Sequence, residues 1–417
     1  MTDRQLIELK EYQTVNGIRL TDAEIACLRQ HYAKAIELRG DSGGIVSLTA
    51  HSWIGRIRLQ ESEIRLRPKL PLNRLWYWLS WAYDLKSLRW TGSSSFDSNF
   101  EDMDWLIRFY VQACEKVAAV GIRKNYVSIE EASPAVRGTL MSSATAGRWL
   151  KQDYRFDCRY DEFTSWIPEN QCIVAGLQSM RKWPLKDARL FPRLEKLMEV
   201  FAQERSLFPG MLLTDTIGKQ LLSRMQVNRL NQHYSEAFRW LRLYWNCVSI
   251  VDADGGVNAQ SFLLDMNELY EAYVAARFRA ALEPQGIRVI SQQHDWLAEE
   301  GRIRIVPDLI VRDPSGREII VDTKYKMKKD EASINADVFQ MLAYLTARRS
   351  TTAMLLYASG PEREDRIKNA GSTVYQWSLN LDAPGGSHEQ EEGRLDSVMA
   401  RISGLLEKAS IVEYGRK

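Results

Sequence analysis

The chain has 417 residues, 45% of them apolar and 26% charged, which are the proportions of a folded protein of two or three domains and exclude a disordered or fibrous one. Lys and Arg number 56 against 54 Asp and Glu, a formal net charge of +2, so any contact with nucleic acid must rest on local basic patches rather than a global field. The start of the chain lacks a basic-then-apolar leader, no apolar run approaches 18 residues, and five scattered cysteines form no CxxC pair. These features point to a reducing cytoplasm and no membrane span. The histidines are equally scattered, so neither an HExxH motif nor a Cys/His zinc site can be drawn.

In chain order, TDAEIACLRQHYAKAIEL (21–38) opens with a Thr-x-x-Glu capping box and keeps helical apolar spacing through Ile25, Leu28 and Ala33. GRIRLQESEIRLRPKL (55–70) predicts a hairpin whose period of two places Arg65, Arg67 and Lys69 opposite Ile64 and Leu66. These three cations are candidate contacts for a DNA backbone or an acidic partner. A Trp/Tyr-rich helix, RLWYWLSWAYDLKSL, a Gly/Ser loop and a helix over about 101–120 follow, and the stretch from 170 to 250 is mainly helical. The helix MNELYEAYVAARFRAAL then gives way to strands: IRVISQQ, RIRIVPDLIV and EIIVDTKYK. A helix, ADVFQMLAYLTARR, two further strands, AMLLYAS and TVYQWSLNL, and a last helix at about 395–408 complete the chain. This order after residue 262 predicts a sheet flanked by helices.

The chemistry concentrates in PDLIVRDPSGREIIVDTKYK (307–326). DPSG is a turn between two aliphatic runs, and a turn centred on Ser315 sets Asp308 opposite Asp322, with Lys324 on the same face two residues on. Carboxylates this close repel unless a cation joins them, and an all-oxygen donor set favours Mg²⁺, with Mn²⁺ as a substitute. Glu268 and Glu271, three apart on the preceding helix, offer a third carboxylate. Gln340 and Tyr344, four apart on the following helix, can hold a catalytic residue or a phosphate by hydrogen bonds. Lys326, Lys328 and Lys329 would carry positive potential onward along DNA.

PD at 307–308, DTK at 322–324 and QMLAY at 340–344 resemble the PD-(D/E)xK nuclease superfamily, with the QxxxY element of its RecB-like branch. Together with GRIRLQESEIRLRPKL, VRGTL (136–140), CRYDEFT (158–164), NRLNQHY (228–234) and DMNELYEAYV (265–274), the chain resembles the McrC family of McrBC-type modified-cytosine restriction systems. The resemblance implies an α/β fold. A C-terminal restriction-endonuclease-like domain, with a mixed central sheet flanked by helices, follows an α+β partner-binding domain. The expected division is 1–165 for docking and 166–417 for a helical segment plus nuclease, with the catalytic core at about 262–381.

The resemblance also implies a Mg²⁺-dependent endodeoxyribonuclease of antiphage defence, cutting double-stranded DNA that carries modified cytosine such as 5-methylcytosine. It would work only in an oligomeric complex with an AAA+ GTPase of McrB type, whose GTP hydrolysis it stimulates. Asp308, Asp322 and Lys324 would be catalytic, with Glu271, Gln340 and Tyr344; Asp308, Asp322 and Glu271 would be the metal ligands. Where the family commonly has Phe-Glu, this chain has Tyr270–Glu271. The nearest approach to a Walker A motif, IGKQ (217–220), lacks its glycine and hydroxyl positions, so no nucleotide is expected on this chain. Two alternatives share the motifs: an autonomous RecB-like repair nuclease, which would cut without a partner, and a non-enzymatic adaptor with a degenerate nuclease fold. The intact Asp308, Asp322 and Lys324 set argues against the adaptor.

Overall fold

The computed structural model describes residues 4–40, 44–90, 103–205, 212–253, 257–327, 331–381 and 388–414. The chain begins with β1 (Gln5–Lys10), β2 (Thr14–Arg19), α1 (Asp22–His31), β3 (Ile36–Arg39), β4 (Ile45–Ala50), β5 (Trp53–Arg58) and β6 (Ser62–Arg67). Their alternating apolar positions, among them Ile7, Leu9, Leu28, Leu48, Ile57 and Ile64, close one core. The capping box forms, Thr21 and Glu24 exchanging bonds with each other's backbone, but the helix stops well short of residue 38. Ala35 and Ile36 are needed in the core, so the chain turns after Tyr32 and enters β3. β5 and β6 form the expected hairpin, with Ile57 opposite Ile64, and β1 lies parallel to β6 on its other edge.

After α2 (Leu72–Ala82) and α3 (Lys86–Trp90), residues Ser98–Val248 form a compact unit of their own. It contains α4 (Asp104–Val120), β7 (Asn125–Ser133), β8 (Thr139–Leu140), α5 (Ser142–Trp149), β9 (Phe156–Thr164), α6 (Pro168–Met180), α7 (Leu190–Phe201), α8 (Asp215–Arg224) and α9 (Ser235–Cys247). β7 and β9 pair antiparallel from Asn125↔Thr164 to Ser133↔Phe156, with β8 on the far side of β9. The helices bury Trp240, Tyr110 and Tyr244 completely. Gly218 on α8 is required by this packing, since a Cβ there would stand 2.5 Å from the Trp245 ring.

The chain then returns through β10 (Val248–Ala253) and β11 (Val257–Asp265) to α10 (Met266–Leu282). β12 (Arg288–Ser291), β13 (Asp295–Trp296), β14 (Arg304–Ile305), β15 (Leu309–Arg312), β16 (Glu318–Met327), α11 (Glu331–Arg348), β17 (Thr352–Ser359), β18 (Arg363–Ile367), β19 (Ser372–Ser378) and α12 (His388–Tyr414) complete it. β11 pairs with β5, giving a five-stranded sheet ordered β1-β6-β5-β11-β10. A second sheet, β12-β15-β16-β17-β19-β18, is mixed: β16, β17 and β19 run parallel and the other pairs antiparallel. β18 was not anticipated, because its REDRI sequence carries charge where a strand signal needs apolar residues. α12 also starts earlier and runs longer than expected. Its buried Glu391 pairs with Arg74 of α2 at 3.0 Å and accepts from the Trp78 indole at 2.6 Å. Trp78 in turn stacks on Tyr273 of α10 at 5.3 Å and meets Tyr325 of β16 edge-on at 5.9 Å.

The contacts divide the chain elsewhere than after residue 165. Met1–Asp97 and Ser249–Lys417 make one unit and Ser98–Val248 the other. The cause is the pairing of β5 with β11, so close that a Cβ on Gly55, which sits at φ +128°, would meet the Phe262 carbonyl oxygen. A 1–165 fragment therefore leaves β5 an open edge and removes α10 from beneath α2. That fragment should aggregate or unfold without cooperativity, whereas Ser98–Val248 alone should melt as one transition. Circular dichroism of the two fragments through a urea titration checks this, and a cooperative 1–165 fragment would refute the division.

Glu11, at the end of β1, is buried and accepts from the Lys69 backbone N–H at 2.7 Å and the Tyr325 hydroxyl at 3.2 Å. Burial pushes its carboxyl from 4.5 up to about 7. The folded chain thus holds this proton more tightly than the unfolded one. Its contribution is fully present below pH 4.5 and is lost as pH rises to about 7. Glu11→Gln removes that loss, so the fall in Tm from about pH 5 to pH 8 should be smaller in the variant than in the wild type. Equal falls in parallel thermal melts would contradict this assignment.

Candidate active site

The site is set by a turn. The Asp313 carboxylate accepts from the Ser315 hydroxyl at 2.6 Å and the Arg317 N–H at 3.0 Å, and Gly316 takes the left-handed conformation at φ +91°. β15 and β16 consequently pair Ile310↔Ile320 and Leu309↔Val321. One step further along this register, Asp308 faces Asp322, as the turn chemistry predicts; such cross-strand neighbours have Cα atoms about 5 Å apart.

Each charge is held by named neighbours. The Thr323 N–H and hydroxyl both donate to Asp308 Oδ2, at 2.8 and 2.9 Å. Asp322 is only 1% exposed, and Lys324 Nζ lies 2.6 Å from its Oδ2. Lys324 also donates to Gln340 Oε1 at 3.0 Å, Gln340 donates to the Tyr344 hydroxyl at 2.7 Å, and that hydroxyl donates to the Val306 carbonyl at 3.2 Å. From α10, Glu271 accepts from the Gln292 side chain, while the Gln292 backbone N–H donates to the Asp308 carbonyl at 3.0 Å. Gln292 therefore ties α10 to the first residue of the hairpin.

The electrostatics follow from crowding. Burial, and then the Asp308 charge, push the Glu271 carboxyl up to about 7. Burial raises Asp308, and burial together with the Asp308 charge raises Asp322. Burial alone would lower Lys324, but the Asp322 carboxylate outweighs it and keeps the ammonium above its ordinary value. Glu268, by contrast, is raised by burial and by Asp265. Of the two helix carboxylates, the structure brings Glu271 into the field of Asp308 and Asp322.

Other candidates fare differently. Lys326 is tied to α11, lying 2.8 Å from Asp337 Oδ2, and the same oxygen accepts from the Tyr357 hydroxyl at 2.8 Å; it is not a free track for DNA. Lys328 and Lys329 lie outside the described residues. Arg65 pairs with Glu63 at 2.8 Å, Arg67 with Glu8 at 2.7 Å, and Lys69 sits over the Tyr12 ring at 4.2 Å. All three are engaged within the N-terminal sheets. Sequence reasoning missed Gln292, Thr323 and Asp337. Only Asp337 carried a usable signal, being three residues before Gln340 on one helix face.

Three carboxylates with no histidine or cysteine form a hard-oxygen donor set suited to a divalent cation. Among the described residues, no three such side chains already stand arranged to hold a metal. The five cysteines are buried and unbridged, and no described helix is long and apolar enough to cross a membrane.

Residues 48–358 match the family described as McrBC 5-methylcytosine restriction system component. No curated protein matches the chain. Among solved structures, it resembles a chain in a refined half-complex from a tetradecameric assembly of Thermococcus gammatolerans McrB AAA+ hexamers with bound McrC. The TM-score is 0.55 at 16% identity, over 94% of this chain and 99% of that one. The Thermococcus gammatolerans McrBC complex also matches, at TM-score 0.40 and 17% identity, over 65% of this chain and 86% of that one. The family match takes in the β5–β6 hairpin, the whole Ser98–Val248 unit and the β15–β16 site, and the chain belongs to the McrBC 5-methylcytosine restriction system component family.

Proposed function

We propose that this chain is the nuclease subunit of an McrBC-type restriction complex. It is a metal-dependent endodeoxyribonuclease for DNA carrying modified cytosine, working with an AAA+ GTPase of McrB type whose GTP hydrolysis it stimulates. The observation that carries this reading is the end of the β15–β16 hairpin, where Lys324 is held between Asp322 and Gln340 in the same strand register that sets Asp308 against Asp322.

Asp308, Asp322 and Glu271 would hold Mg²⁺ or Mn²⁺, which supplies Lewis-acid charge to the phosphate and a more acidic water. The chain's own groups do the rest. Thr323 fixes Asp308 through two bonds to one oxygen. Gln292 keeps Glu271 in step with the hairpin. Gln340 is a neutral acceptor, so it orients Lys324 without quenching its charge. Because the Lys324 ammonium is stabilised by Asp322, its role is to offset negative charge developing on the phosphorane rather than to accept a proton.

McrB hexamers hold McrC in the structurally similar complex. Within residues 1–165, the region expected to dock a partner, the β7–β9 pair of the Ser98–Val248 unit presents exposed aromatic side chains. Tyr126 and Phe163, 67% and 54% exposed, touch across β7 and β9 with ring centroids 5.1 Å apart. That face is the proposed docking surface for the GTPase.

Lys324→Ala should slow cleavage of methylated plasmid by a factor on the order of 10²–10³, measured with partner, GTP and Mg²⁺ present. Lys324→Arg should restore it only in part, since a planar guanidinium cannot occupy the place of a compact ammonium. Asp308→Asn should abolish cleavage while leaving partner binding intact; Asn is the appropriate replacement because it keeps the shape that Thr323 bonds beside the buried Asp322. Wild-type cleavage by Asp308→Asn would sink the nuclease reading. A folded Ser98–Val248 fragment should capture the GTPase, and Tyr126→Ala with Phe163→Ala should release it. Retained capture by that double variant would move the docking surface elsewhere.

A further inference from the structure

The chain leaves the site at Gln292 and re-enters it at Asp308, and the excursion between them is the β13–β14 hairpin. Trp296 pairs directly with Arg304 and Asp295 with Ile305, while the Leu297 N–H donates to the Ile303 carbonyl at 2.8 Å. Period two then sorts the side chains onto two faces. Asp295, Leu297 and Ile305 face the domain: Ile305 and Leu297 pack in the core that includes Tyr344 and Leu345, and Asp295 takes Arg348 at 2.7 Å. Trp296 and Arg304, directly paired, share the other face, and the exposed His294 and Arg302 flank them just outside the strands. Trp296 is 52% exposed, both arginines are exposed, and neither forms an ion pair among the described residues. Arg304 lies 2.6 Å from a nitrogen of the His294 ring, which leaves its charge unquenched. Glu299 and Glu300 are confined to the tip between the strands.

We propose that this face is a duplex-DNA contact: Arg302 and Arg304 neutralise two backbone phosphates beside the scissile one, and Trp296 packs against the sugar–base edge. This rests on the nuclease reading. Charge complementarity supports it, because Lys326, Arg65 and Arg67 are engaged by carboxylates while these arginines are not. Position supports it too, since the hairpin is rooted at both ends in residues that hold the site and is stapled to the core by Arg348, so its outer face has a fixed relation to Asp308.

The test is the full chain carrying Trp296→Ala, Arg302→Ala and Arg304→Ala together, all exposed positions. Binding of a labelled duplex by the full chain should weaken tenfold or more at low salt, and the slope of log K against log salt should shrink by about 2, close to 0.9 for each lost phosphate contact. Arg302→Lys with Arg304→Lys should keep the slope. In the assembled complex, stimulation of the partner's GTPase should be unchanged by the triple variant. Unchanged affinity and slope would overturn the proposal and leave the nuclease reading standing, as would the absence of measurable duplex binding by the wild-type chain. Lost GTPase stimulation with DNA binding retained would show a protein contact and overturn it also. Reduced duplex binding in the variant, with no cleavage by the wild-type complex, would support the contact and sink the nuclease reading.

Discussion

Asp308 and Asp322 repel each other across the end of a hairpin, one of them almost fully buried, with Lys324 close enough to offset them. Such a pair survives only if its neighbours fix every atom that can move. The surrounding bonds read as answers to that requirement: two donors from Thr323 on one oxygen of Asp308, Gln340 behind Lys324, Tyr344 behind Gln340, and a backbone carbonyl behind Tyr344. The whole arrangement hangs on strand register. A slip of one residue between β15 and β16 would turn Asp322 and Lys324 to the opposite face, and the Asp313 turn is what forbids it.

This register was legible in the sequence because turn chemistry is local: Asp-Pro-Ser-Gly fixes a few dihedrals, and arithmetic along two strands does the rest. The choice between Glu268 and Glu271 was not. Helical spacing puts both near one face; only the family resemblance points to Glu271, which in the fold is bonded by Gln292 just past β12. The same limit governs Arg65 and Arg67. Period two identifies their face correctly, yet Glu8, which meets Arg67 there, arrives from β1 through a parallel pairing no local pattern announces. The division of the chain was illegible for the same reason, since β5 finds β11 about two hundred residues later.

The N-terminal segment is part of the same compact unit as the candidate site. Trp78 and Arg74 of α2 reach α10, α12 and β16, so the strand carrying Asp322 and Lys324 is backed by residues from the start of the chain. Tyr325, next to Lys324, leans into this aromatic cluster and donates to Glu11 at the end of β1. A change in the N-terminal sheets therefore has a short physical route to the site, through one hydroxyl and one ring edge.

The placement of Ser98–Val248 between β5 and β11 also sets an order of events during synthesis. A chain leaving the ribosome folds as its segments emerge, and the five-stranded sheet stays incomplete until the inserted unit has been translated in full. The inserted unit has no such debt to later sequence and can settle first. The hairpin with Asp308 and Asp322 emerges later still, onto a surface that α2 and α10 have only then begun to form. A ribosome that stalls or a chain that is clipped before that point leaves a folded inserted unit without the Asp308–Asp322 hairpin, so incomplete copies are born without the proposed site.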